Sequence, residues 1–74
     1  MPINKDRLRR RREIAGLNQA RLADTSGFSP SYIAMIERGE RTRVSPDALG
    51  RLCDALGVED REELIDDDTD DKAA

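Results

Sequence analysis

Apolar residues recur along this chain at helical rather than strand spacing. Ile33 and Ile36 lie one turn apart, and Leu49, Leu52, Cys53 and Leu56 follow the i, i+3, i+4, i+7 pattern that turns one helix face inward. Cys53 therefore reads as a small core residue rather than a reactive thiol. The polar positions between these stripes carry start and stop signals. Asn18 precedes Gln19-Ala20-Arg21-Leu22-Ala23 and fits a helix N-cap, its side chain accepting from an otherwise unpaired backbone N–H. Gly27 sits where that helix must end, because glycine enters the left-handed conformation without steric cost. Ser29-Pro30 and Ser45-Pro46 each pair a capping hydroxyl with a proline at the first helical position, where the missing N–H is not needed. Gly16 and Gly57 close two further segments, Leu17 packs beneath the first of these turns, and Asp60-Arg61-Glu62-Glu63 has the form of a capping box.

These signals predict an all-α fold of five short helices. The first covers residues 5–15, with Leu8 and Ala15 on one face and Arg12 between them; the others start near residues 19, 30, 46 and 61. Residues 1–4 are expected to form a loose terminus from which Ile3 can fold back onto the core. Residues 66–74 hold five aspartates and no sizeable apolar group, which predicts a disordered acidic tail after a folded domain at 5–65.

The stretch 19–36 carries the most specific spacing. Counting from Gln19, an apolar residue stands fourth (Leu22), a small one fifth (Ala23), glycine ninth (Gly27), and isoleucine fifteenth and eighteenth (Ile33, Ile36), followed by Glu37-Arg38-Gly39. This layout resembles the helix-turn-helix of the phage repressor (Cro/C1, or XRE) family, and the likeness extends over about residues 7–65. It implies a lambda-repressor-like domain in which Ala23 stays small because two helices cross there. Ser26 departs from the pattern, since the family usually places an apolar residue at that position; Phe28, bulkier than usual, is expected to fill the gap.

Composition bounds the chemistry. At 74 residues the chain is one small domain, with no histidine and a single cysteine. That removes zinc-finger spacing, disulfides and most nucleophile–base pairs, and no glycine-rich phosphate loop or metal-ligand cluster occurs; an enzyme is not expected, nor any cofactor or metal. No apolar run approaches the ~18 residues of a membrane span and no signal-peptide pattern opens the chain, so a cytoplasmic protein is the default expectation. The net charge of −3 alone argues against nucleic acid, but its distribution reverses that. Residues 1–43 carry ten Lys/Arg against five Asp/Glu, whereas residues 44–74 carry three against eleven. A basic face with an acidic appendage follows.

The resemblance implies double-stranded DNA as the partner. Asn18 and Gln19 at the start of the second helix, and Ser29 at the start of the third, would approach the phosphate backbone, with the Gln19 amide donating to a phosphate oxygen. Base reading would fall to the exposed start of the third helix, namely Pro30, Ser31, Ala34 and Met35, with Tyr32 at the flank giving its hydroxyl to a phosphate. None of the bidentate readers Arg, Lys, Asn or Gln occurs between Ser29 and Glu37, so shape and backbone contacts are expected to supply much of the specificity. Arg38, Arg41 and Arg43 follow that helix and suit the backbone, Arg43 also a narrow minor groove. The bland alternative holds for each of these residues: an exposed glutamine, a solvated arginine, a methionine turned to the core.

An acid on a DNA-facing helix would repel phosphate, so Glu37 is expected to turn inward and pair with Arg12, as the matching residues of the family do. Family members commonly dimerise, and Val58, Leu64 and Ile65, with Leu56 beside them, are the candidate interface, the alternative being that they only cap the monomer core. The aspartate tail allows three roles: a solubilising end, a competitor for the arginine face, or a docking arm for a basic partner protein. Together these features predict a sequence-specific transcriptional regulator, in particular a repressor. The alternative from a different class is a protein-interaction module that keeps the fold without DNA binding.

Overall fold

The computed structural model describes residues 1–66; of the tail assigned from the sequence to 66–74, residues 67–74 lie outside the described residues. The described residues form four α-helices and one 3-10 turn: α1 Lys5–Ile14, α2 Gln19–Ser26, α3 Pro30–Glu37, α4 Pro46–Leu56, and the 3-10 turn Arg61–Leu64. The expected fifth helix is therefore a single tight turn. Asp60 caps it as expected, accepting from the Glu62 N–H at 3.0 Å, but only four residues follow before the chain extends at Ile65. A segment that short yields too few hydrogen bonds to carry α geometry.

Local chemistry sets each helix end. Asn4, Asn18, Ser29 and Ser45 cap the four helices through their side-chain oxygens. Pro30 and Pro46 occupy first-turn positions. Gly27 and Gly57 end α2 and α4 with φ of 82° and 71°, the left-handed region that disfavours any residue with a Cβ.

Leu8, Leu22, Ile33, Ile36, Leu49, Leu52 and Leu64 are fully enclosed and form the centre of one core. Ala23 is equally buried, between α2 and the elements around it, where a longer side chain would force the helices apart. Cys53 is buried in the same cluster, and burial raises its thiol pKa. Among the described residues Ser26 is the one buried polar residue; its hydroxyl donates to the Leu22 carbonyl at 2.7 Å, so the buried hydroxyl is satisfied within its own helix.

Two expectations are corrected here. Ala15 does not share the buried face of Leu8: it caps α1 from an exposed position, because the inward place one turn after Leu8 is taken by Arg12. Residues 1–4 are not loose. Pro2 bridges Arg43 and Ile3 bridges Ile65, both antiparallel, and the Ile3 N–H donates to the Thr42 carbonyl at 3.0 Å. Val44 donates to the Met1 carbonyl, Asn4 to Leu64 and Asp66 to Pro2. With Ile3 95 % buried, this clasp fastens the loop after α3 to both flanks of the domain.

Candidate functional site

The inward residues of α3, Ile33 and Ile36, anchor the helix to the core. Its other positions form one continuous face: Pro30 and Ser31 are exposed, while Tyr32, Ala34 and Met35 are half-buried. Met35 thus has its side chain neither fully in the core nor fully free, and its carbonyl accepts from the Glu40 and Arg41 N–H groups, turning the chain out of the helix. Ser29 spends its hydroxyl on the Tyr32 N–H at 3.2 Å, and Asn18 spends its side-chain oxygen on the Arg21 N–H at 2.7 Å. Both remain exposed beside helix N-termini, where the backbone dipoles favour an anion.

Glu37, the single acid of α3, is removed from that face. Arg12 grips it through two parallel hydrogen bonds, Nε to Oε2 at 2.7 Å and Nη2 to Oε1 at 3.1 Å, while Arg12 Nη1 donates to the Leu17 carbonyl at 2.8 Å. The side chains are only 11 % and 5 % exposed. Hydrogen bonding to Glu37 is the main cause that raises the Arg12 pKa above its ordinary value, so the guanidinium stays charged. Gln19 completes the group: its side-chain amide donates to Glu37 Oε1 at 3.1 Å. The amide assigned from the sequence to a phosphate therefore has an intramolecular partner in this structure. Nothing in the local sequence signals that contact, because residues 19 and 37 meet only when α2 packs on α3.

A second feature crosses the base of α3. Phe28 and Tyr32 stack with ring centroids 4.6 Å apart; Arg41 lies 5.1 Å from the Tyr32 centroid and Arg51 lies 5.6 Å from that of Phe28. Phe28 also packs against the core. The aromatic pair thus holds one arginine from the loop after α3 and one from α4 against the same patch. Arg51 was not identifiable as part of this surface from sequence, since on α4 alone it reads as a solvated position paired at i,i+4 with Asp47.

Of the three loop arginines, Arg38 is engaged by Glu40 through two hydrogen bonds of 3.0 and 3.1 Å, which raise the arginine pKa and lower that of the carboxyl. Arg41 and Arg43 are exposed and form no ion pair among the described residues. The face as a whole is an uncharged helix bordered by cations, an arrangement suited to lying against a polyanion.

Of the candidate dimer residues, two are buried within the single chain, as the alternative of a cap on the monomer core requires. Leu64 is fully enclosed in the monomer core and Val58 is 7 % exposed, because the 3-10 turn folds its apolar residues back onto α1 and α4. Ile65 is half-buried against the same core, opposite Ile3. Among the described residues the large apolar side chains that face outward are Ile14, 69 % exposed at the end of α1, and Met1, 39 % exposed at the N-terminus. Among the described residues no helix is long and apolar enough to cross a membrane, and no group of potential metal ligands is assembled.

Comparison with known proteins agrees with this geometry. A sequence model described as a helix-turn-helix domain matches residues 6–64. The restriction-modification controller protein C.AhdI from Aeromonas hydrophila is 39 % identical, with 82 % of this chain and 89 % of that one covered and a TM-score of 0.75. The clp gene regulator ClgR from C. glutamicum is 36 % identical over 74 % of this chain and 70 % of its own, with a TM-score of 0.67. The SinR protein/SinI protein complex contains a chain of the same fold, 23 % identical, covering 93 % of this chain and 73 % of that chain, with a TM-score of 0.68. No curated protein gives a significant match.

Proposed function

Because the chain belongs to the helix-turn-helix domain family, with a matching segment that runs from α1 through the 3-10 turn, we propose that it is a transcriptional regulator that binds double-stranded DNA sequence-specifically and acts as a repressor. In this reading α3 enters the major groove, and the N-terminus of α2 and the loop after α3 lie on the backbone. The observation that carries the reading is the disposal of Glu37: its charge is turned away from the α3 face and matched by Arg12, while Arg41 and Arg43 stay unpaired by any described carboxylate beside that face. The likeness to a restriction-modification controller and a clp gene regulator supports a regulatory role for a domain of this size.

Pro30, Ser31, Ala34 and Met35 would read bases chiefly by apolar contact, Ala34 and Met35 against thymine methyl groups. Arg41 and Arg43 would neutralise phosphates, with Tyr32 beneath Arg41 fixing its direction. Two copies would place two α3 helices in successive major grooves, about 34 Å apart. The folded unit is residues 5–65, to which residues 1–4 are added by the clasp.

Fluorescence anisotropy with random and host-genomic duplexes across a salt series tests the proposal. Binding is expected to weaken by about 0.9 in log K per neutralised phosphate for each decade of salt, and a subset of genomic duplexes is expected to bind more tightly than random DNA. Absence of binding at about 50 mM salt, where such contacts are strong, would instead favour the protein-interaction module, with the uncharged α3 face as its docking surface.

One substitution follows from the Arg38–Glu40 pair. Glu40→Gln releases Arg38 without touching the core, since both side chains are more than half exposed. A roughly two- to fivefold gain in affinity for any duplex is expected at low salt, fading as salt rises. Equal affinities for the two proteins at every salt concentration would exclude Arg38 from the backbone contacts.

A further inference from the structure

From the sequence, the bulk of Phe28 is expected to compensate for the small Ser26. The structure gives its ring a second set of neighbours. The backbone of Phe28 is fixed in the turn between α2 and α3, where its N–H donates to the Ala23 carbonyl at 2.8 Å, and its half-buried side chain packs against the core. The Tyr32 ring stacks on it with a centroid separation of 4.6 Å and an interplanar angle of 28°. Each ring also carries a guanidinium. Arg51 stands 5.6 Å from the Phe28 centroid and is tied in turn to Asp47 at 3.3 Å, while Arg41 stands 5.1 Å from the Tyr32 centroid.

The anchoring runs outward from the core. Phe28 is held by the core, the Tyr32 ring by Phe28, and the Arg41 side chain by Tyr32. The Arg41 main chain is already set, its N–H donating to the Met35 carbonyl at 3.1 Å, so what remains to be fixed is the direction of a long, exposed side chain. Arginine is among the side chains with the most rotamer freedom to lose when a ligand orders it. A ring that attracts the guanidinium removes part of that freedom beforehand, and preorganisation of this kind raises affinity without adding a contact. The ring serves only if it is itself fixed. Without Phe28 beside it, the half-buried Tyr32 would have one side open and further rotamers within reach. We propose that Phe28 is a positioning residue for DNA binding: it touches neither phosphate nor base, and acts by orienting Tyr32 so that Arg41 is held ready for the backbone. The proposal rests on the reading of Arg41 as a phosphate contact. It gives the uncharged turn between α2 and α3 a share in affinity through two intervening side chains.

The test uses Phe28→Leu, which removes the ring and keeps an apolar side chain, and Phe28→Tyr, which keeps the ring. Each is made alone and together with Arg41→Ala, and all forms are compared below their melting transitions. Duplex affinity is followed by anisotropy at about 50 mM salt, where phosphate contacts are strong, and the Arg41 side-chain N–H resonance is recorded without DNA. Phe28→Leu is expected to weaken binding of a random duplex roughly fivefold and to move the Arg41 resonance out of its ring-shifted, upfield position, whereas Phe28→Tyr leaves both nearly in place. Beside Arg41→Ala, Phe28→Leu is expected to cost less than about a further 1.5-fold, because the side chain through which it acts is gone. A loss of the same size with and without Arg41 would mean that Phe28 acts by packing α3, and would overturn the proposal. An Arg41 resonance that stays in place in Phe28→Leu would overturn it too. Where Phe28→Leu fails to fold, Phe28→Met takes its place, methionine being an adaptable gap-filler. The unaltered chain is decisive by itself in one direction, since an Arg41 resonance without any ring shift overturns the proposal before a variant is made. If no form binds DNA but the Arg41 resonance responds as expected, the stack still orients Arg41 and it is the regulator reading that fails.

Discussion

Replacing Glu37 by alanine is expected to destabilise the domain strongly, lowering its melting temperature by at least about 12 °C. The substitution deletes a carboxylate that is 5 % exposed and strands the Arg12 guanidinium, 11 % exposed, among core-facing positions. Removing one partner of a desolvated pair costs about 3–5 kcal/mol, because the remaining charge keeps its desolvation penalty and loses its compensation. A domain of this length has roughly 4–11 kcal/mol in total, so the loss is a large share of the whole. At about 4–8 °C per kcal/mol for small domains, the melting temperature drops by at least some 12 °C. The Gln19 amide loses its acceptor as well, and Arg12 keeps only the Leu17 carbonyl. Thermal unfolding followed by circular dichroism measures the effect. The double variant Arg12→Met/Glu37→Leu separates charge from packing. It is expected to recover most of the lost stability, since no buried ion remains. A single variant with an unchanged melting temperature would remove the pair from the account of stability.

The second large effect is on binding. Arg41→Ala combined with Arg43→Ala is expected to weaken binding to every duplex by on the order of a hundredfold or more at low salt, each charge-assisted contact contributing about 1.5–3 kcal/mol. The salt slope should fall by about 1.8, two phosphates at about 0.9 each. Both arginines are exposed, so the melting temperature is expected to move by no more than a few degrees. The two measurements together distinguish a binding defect from a folding defect. A uniform loss across sequences marks phosphate contacts; a loss confined to the preferred duplex would mean that one of the arginines reads a base or a narrow minor groove. Retained affinity with an unchanged salt slope would exclude the loop after α3 from the interface.

The helices were legible because their punctuation is local. An asparagine or serine cap, a first-turn proline and a left-handed glycine act on residues one to four positions away; α2, α3 and α4 begin where the caps stand, and α2 and α4 end at their glycines. The family spacing over 19–36 was legible for the same reason. What escaped the sequence is formed between distant residues. Single β-bridges at Pro2 and Ile3 have no periodicity to detect, so an N-terminal segment of four residues reads as loose although it is fastened to residues 42–44 and 64–66. The capping box at Asp60 marks a start but does not say how far the helix runs. Val58 and Leu64 read as surplus apolar residues because the fold-back that buries them is set by the turn between them. Gln19 carries the sharpest lesson for the candidate site: the position is where the family pattern expects it, but its amide partner is chosen by how α2 meets α3.

The stacked pair at the base of α3 has one more consequence. The chain has a single tyrosine and no tryptophan. All of its intrinsic emission excited near 280 nm, on the order of the tyrosine absorption maximum, therefore originates from one ring, whose faces are shared between Phe28 and the Arg41 guanidinium. Tyr32 is a built-in optical reporter of α3, responding when Arg41 leaves its ring for an anion and when its packing on Phe28 and the core changes.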